Sequence, residues 1–192
     1  MPSIKEVKNR IGSVQSTQQL TKAMKMVAAA KLKKAQDKVI QLRPYSLKLN
    51  EILSNLSGSV SNELFNERKV NNLLIVLISS DKGLCGSFNS SLFKEFNSYI
   101  NSVDGSIKIS VLPIGKKAYD FFKKLNYNLI LEYWEVLNGF NYEKSSELSN
   151  FIMTSFLDNK FDKVKIIYNE FKNVAVQKTV TESYLPVQDR KS

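Results

Sequence analysis

At 192 residues and 43% hydrophobic content, the chain can bury one ordinary core, so one compact domain plus an extended element is the expected scale. The formal charge of +10 calls for an acidic partner: nucleic acid, an anionic membrane surface or an acidic protein face. The absence of histidine excludes Ser/His/Asp and Cys/His catalysis and His-containing zinc sites, and a single cysteine, Cys85, excludes an internal disulfide and suits a reducing compartment.

The basic charge is concentrated at the N-terminus, where residues 1–43 hold ten Lys/Arg against only Glu6 and Asp37. From Ser3 to about Ser57 the helix-disfavouring residues are Gly12 and Pro44, and the rest predicts one long helix. Ser3 and Glu6 form a capping-box start, and Asn55-Leu56-Ser57-Gly58 is the expected stop. Such a helix is about 80 Å long, far more than a small core needs, with a bend expected at Pro44.

A 4,3 repeat from Ile4 runs through Val7, Ile11, Val14, Gln18, Thr21, Lys25, Ala28, Leu32, Ala35, Val39, Leu42, Ser46, Leu49, Leu53 and Leu56, mostly apolar and in one phase, which predicts a coiled-coil seam. The seam fails at Gln18, Thr21 and Lys25. There Leu20, Met24 and Val27 form a displaced apolar stripe beside Ala28-Ala29-Ala30, flanked by Lys22, Lys25 and Lys31. Two readings stand: a contact zone surrounded by protein with acidic neighbours, or an imperfect coiled coil with a solvated lysine face.

After a polar stretch at 57–72 the pattern alternates. Leu73–Ser79 predicts a strand buried on both faces, Phe88–Ser102 a helix, Ile107–Ile114 a strand and Lys116–Leu125 a helix. Tyr127–Glu132 reads as a short strand, Glu143–Leu157 as a helix, Val164–Tyr168 as a strand and 173–185 as a final strand at an edge. The fold class is therefore α/β: a long N-terminal coiled-coil helix (1–57), a linker (58–72), a Rossmann-like domain with a mostly parallel sheet (73–185) and a tail (186–192). No apolar run reaches the length of a membrane span and no signal peptide precedes the helix, so the expectation is a soluble or peripheral protein.

The loop Ser79–Asn89 follows the first strand, where α/β proteins often bind phosphate. Its Asp81, Lys82, Gly83, Cys85 and Gly86 match neither GxGxxG nor GxxxxGK[ST], and Cys85 lacks a histidine base, so a structural turn is favoured. A stand-alone phosphate-binding protein using Asp81–Ser87 is the alternative. A basic nucleic-acid-binding helix is disfavoured, because the lysines share their helix with an apolar seam and lack interleaved aromatics.

The stretch from Arg10 to Lys31 (RIGSVQSTQQLTKAMKMVAAAK) resembles the N-terminal helix of the gamma subunits of F-type ATP synthases. Arg43-Pro44-Tyr45, Ser80–Gly86 and Tyr168–Asn173 agree with that family in order and spacing. The resemblance implies a non-catalytic central-stalk shaft, without cofactor, metal or substrate of its own, that couples ion-driven rotation of a membrane ring of c subunits to ATP synthesis or hydrolysis in the head. The implied partners are the alpha and beta subunits of that head, the epsilon subunit and the c ring. The implied location is peripheral, on the cytoplasmic face of the bacterial inner membrane. Lys22, Met24, Lys25 and Lys31 are then candidates for contact with acidic loops of the beta subunits. Members of that family continue past the equivalent of Ser192 into a long C-terminal helix, so a truncated chain or an interrupted coding sequence is favoured over a reduced shaft whose second helix comes from elsewhere, because an unpaired seam is an aggregation liability.

Overall fold

The computed structural model describes residues 3–57 and 62–187. It divides into two units, Met1–Leu53 and Ser54–Ser192. The first is made by one helix, α1 (Ile4–Ser57), whose last four residues fall in the second unit. Its predicted capping box forms: the Ser3 N–H donates to Glu6 Oε2 at 2.8 Å and the Glu6 N–H to Ser3 Oγ at 3.3 Å. The helix continues through Pro44, whose missing N–H leaves the Ile40 carbonyl without its usual donor. At its other end, Gly58 of the predicted stop lies outside the described residues, as do 59–61 of the predicted linker and 188–192 of the predicted tail.

The second unit is a five-stranded sheet in the order β3-β2-β1-β4-β5. Its elements are β1 (Asn72–Ile78), α2 (Phe88–Ser102), β2 (Lys108–Ile114), α3 (Lys116–Phe122), β3 (Asn128–Leu129), α4 (Tyr142–Leu157), β4 (Lys163–Phe171) and β5 (Gln177–Leu185). The pairings β1–β2, β1–β4 and β2–β3 are parallel, and β4–β5 is antiparallel. The α/β class with a mostly parallel sheet, expected from the alternation, is the class observed.

A strand covered by helices on both sides must be apolar on both faces, and β1 is. Leu73, Ile75 and Leu77 pack with Leu92 and Phe96 of α2 and Phe122 of α3, while Leu74 and Val76 pack with Ile152 and Phe156 of α4. The aromatic side of this core is dense: Phe96 and Phe122 meet edge to face at 4.8 Å, and Phe93 stacks on Phe121 at 4.0 Å. Burial raises the Tyr99 phenol on α2 above its ordinary pKa.

The polar stretch before β1 holds structure that its composition conceals. Asn62 caps a 3-10 turn at Glu63–Phe65 by accepting the Leu64 N–H, and Leu64 packs on the α4 side of the core. The Arg68 guanidinium lies 4.0 Å from the Phe156 ring centroid, donates to the Phe156 carbonyl at 2.7 Å and also bonds Asn159. Asp162 accepts the N–H groups of Asn71 and Asn72 at 2.9 and 2.8 Å, which ties the start of β1 to the start of β4.

Candidate functional site: the face of the long helix

None of the described side chains of α1 is buried within the chain. The seam residues Ile4, Val7, Ile11, Val14, Ala28, Leu32, Ala35, Val39 and Leu42 run along it largely uncovered, with Val14 and Leu42 exposed by 66% and 62%. Leu20, Met24, Met26 and Val27 are also exposed. Long uncovered apolar stripes are the kind of surface that contact with other protein usually covers.

The four candidate contact residues do not share one face. At about 100° of rotation per residue, Leu20, Met24, Val27 and Lys31 stand in one row, so Lys31 ends the displaced apolar stripe. Lys25 falls instead in the gap of the seam, in line with Val14 and Leu32, and Lys22 lies beside it. Thr17 and Thr21 turn their hydroxyls inward onto the carbonyls of Ser13 and Thr17, at 2.9 and 2.8 Å, which hides polar groups in that gap. Around Met24 the helix therefore offers apolar surface on two sides with lysines between. That arrangement suits a helix enclosed by protein.

The Ser79–Asn89 loop sits where the strand order reverses between β1 and β4, the place where open α/β sheets usually take ligands. Here its polar groups are engaged within the chain. Asp81 Oδ1 accepts the Lys116 N–H at the first residue of α3 (2.9 Å), and Ser79 Oγ accepts the Ala118 N–H (2.8 Å). Asn89 accepts the Ser80 N–H and donates to Ser80 Oγ and Cys85 Sγ. Asn169 of β4 donates to the Phe88 carbonyl at 2.8 Å and so closes the crevice. Lys82, Gly83 and Gly86 stay exposed in the turn, Gly86 at φ +61°. A carboxylate on the α3 N-terminus and a bridged crevice favour the structural turn over a phosphate cradle.

Two outcomes follow for this loop. Asp81→Ala removes the bond to Lys116 and costs about 1 kcal/mol, read as a lower urea midpoint of unfolding. Millimolar inorganic phosphate leaves the melting temperature unchanged, and a rise of several degrees would contradict the structural reading.

The family model described as ATP synthase matches residues 3–192. The chain is 48% identical over 193 residues to the ATP synthase gamma chain of Amoebophilus asiaticus, covering 97% of this chain and 67% of that one. It is 43% identical over 196 residues to the ATP synthase gamma chain of Cytophaga hutchinsonii, covering 98% and 66%. It thus spans about two thirds of the length of the curated relatives it matches. Among solved structures, it resembles a chain of the central stalk and c ring of the Tetrahymena thermophila mitochondrial ATP synthase, with a TM-score of 0.59, 25% identity and coverage of 87% and 72%. The fold also matches a rotor chain of the Euglena gracilis mitochondrial ATP synthase, with a TM-score of 0.58 at 22% identity, covering 97% and 63%. Among the described residues, no helix is long and apolar enough to cross a membrane. With a match from residue 3 to residue 192 and relatives above 40% identity over nearly all of it, the chain belongs to the ATP synthase gamma chain family.

Proposed function

We propose that this chain supplies the N-terminal helix and the α/β unit of the rotating central shaft of an F-type ATP synthase, as a non-catalytic subunit. The observation that carries this reading is the 54-residue helix with its uncovered apolar seam, in a chain of the gamma family. In the complex, the seam is covered by a helix from the third of the family's length that lies beyond this sequence. The stretch around Met24 turns inside the alpha and beta subunits, with Lys22, Lys25 and Lys31 facing acidic beta-subunit surfaces and Leu20, Met24 and Val27 acting as an apolar bearing. The α/β unit meets the epsilon subunit and the c ring. The chain is then held peripherally at the cytoplasmic face of the bacterial inner membrane, and ion flow through the ring is coupled to ATP synthesis or hydrolysis by conformational change.

The test is co-assembly. The chain, extended with the remaining third of the Amoebophilus asiaticus relative, is expected to co-purify with alpha and beta subunits; failure to co-purify overturns the reading. Replacing Lys22, Lys25 and Lys31 together with Gln is expected to weaken that assembly roughly tenfold at low salt. The difference should shrink as salt screens the charges. Equal affinities at low salt would remove the lysines from the contact.

A further inference from the structure

On the side of the sheet that packs on α4, β1 and β2 are apolar except at their amino ends. Leu74 and Val76 of β1 and Leu112 and Ile114 of β2 belong to that side of the core. Side chains alternate along a strand, so Asn72, Lys108 and Ser110 stand on the same face. The register sets these polar groups side by side, because Asn72 pairs with Lys108, and Ser110 with Asn128 of β3. Together with Lys160 and Phe161, which lie between α4 and β4, they line a cleft of about 670 Å³. That volume is typical of built ligand sites.

We propose that this cleft docks an acidic segment of a partner protein, whose carboxylates it takes between Lys108 and Lys160. Two ammonium groups line it and no carboxylate does. Lys108 has no ion pair among the described residues, and Lys160 has only a solvent-exposed one with Asp158 at 3.5 Å, a kind worth little. Asp162, next to Phe161 in the chain, lies outside the lining and accepts the N–H groups of Asn71 and Asn72. The neutral groups of the cleft are donors as well. Ser110 is only 8% exposed and stands where a strand covered on both faces calls for an apolar residue. Its Oγ accepts Asn128 Nδ2 at 2.9 Å, and its own O–H has no acceptor among the described residues. A buried donor left in that state is costly, and a carboxylate oxygen would satisfy it. No arginine lines the cleft, and its one aromatic, Phe161, is buried rather than presented to a base, which favours carboxylates over a nucleic acid. A lone phosphate ion bridges too little of a cleft of this volume to bind at millimolar concentration, whereas successive carboxylates on one segment reach both lysines. The inference does not rest on the chain's role as a shaft.

The experiment is fluorescence anisotropy of a labelled hexaglutamate peptide titrated with the full chain at low salt, followed by carbodiimide coupling of the bound peptide to lysines. Mass spectrometry is expected to find coupling at Lys108 and Lys160 ahead of the other lysines. Lys108→Gln and Lys160→Gln together should weaken binding by about tenfold or more. Replacing Lys22, Lys25 and Lys31 of α1 with Gln should weaken it less. Ser110→Ala keeps both charges and should still cost about threefold, through the lost hydroxyl donor. The Trp134 unfolding midpoint in urea shows that each variant is folded. Coupling confined to α1, an unchanged affinity in the double variant, indifference to Ser110→Ala, or a hexathymidylate strand that binds this cleft more tightly than the peptide would each overturn the proposal.

Discussion

Gly115→Ala is expected to destabilise the α/β unit by about 4 kcal/mol, combining an unfavourable backbone conformation with a steric clash. Gly115 joins β2 to α3 at φ +89° and ψ 147°, a region occupied almost only by glycine. An added Cβ would stand 2.5 Å from the Ser79 carbonyl oxygen and 2.9 Å from Ser79 Oγ. Neither atom is free to retreat. The Ser79 N–H donates to the Ile114 carbonyl at 2.8 Å, and its hydroxyl holds the Ala118 N–H at the start of α3. The Gly115 N–H also donates to the Trp134 carbonyl at 2.8 Å, so movement here strains the turns that follow β3. Trp134 is the chain's one tryptophan and stacks on Tyr119, which makes its fluorescence a direct probe of this unit's unfolding in urea. A variant with an unchanged midpoint would show that the clash relaxes without cost.

Phe122→Ala should cost about 3–5 kcal/mol by the same measurement. Phe122 is fully buried and meets Phe96, Tyr127, Phe93 and Phe121 edge to face, at centroid distances from 4.8 to 6.4 Å. Truncation removes the centre of that cluster and leaves a cavity its rigid neighbours cannot fill. Leu32→Ala on α1 supplies the contrast. Leu32 is 43% exposed in the chain alone, so its truncation should leave the Trp134 transition where it was. The seam residue is expected to matter only once a partner helix covers it.

Most of the fold is legible in the sequence, and the departures have local causes. The helix predicted over Phe88–Ser102 has those bounds because its apolar residues recur at helical spacing onto one sheet face. The helix predicted to run to Leu125 stops at Phe122, since Lys124 and Leu125 bond back three residues, to Phe121 and Phe122. The strand predicted over Tyr127–Glu132 keeps only Asn128–Leu129 in the sheet, and the chain then turns so that Val136 enters the core. The strand predicted at Val164–Tyr168 extends to Phe171. Asn169 and Glu170 have low strand propensity, but pairing with Thr179 and Lys178 of β5 carries the ladder past them. The final strand starts at Gln177 rather than 173, because Asn173 Oδ1 takes the N–H groups of Ala175 and Val176 into a turn.

The candidate site was legible to a different degree. The seam and its break at Gln18, Thr21 and Lys25 appear in the spacing alone, because one helix with a fixed rotation per residue maps sequence directly onto faces. The same geometry separates Lys22 and Lys25 from Met24 and Lys31, which sequence proximity had grouped. The role of Asp81 as a cap for α3 was hidden, since its partner Lys116 is 35 residues away and only the assembled sheet brings them together.

Rotation tests the central claim most directly. Cys85 is the only cysteine and is exposed, so a probe can be attached there. In a head of alpha and beta subunits fixed to a surface, with this chain extended by the remaining third of a gamma relative, ATP should turn the probe continuously in one direction. A complex that assembles and hydrolyses ATP while the probe stays still would contradict the account.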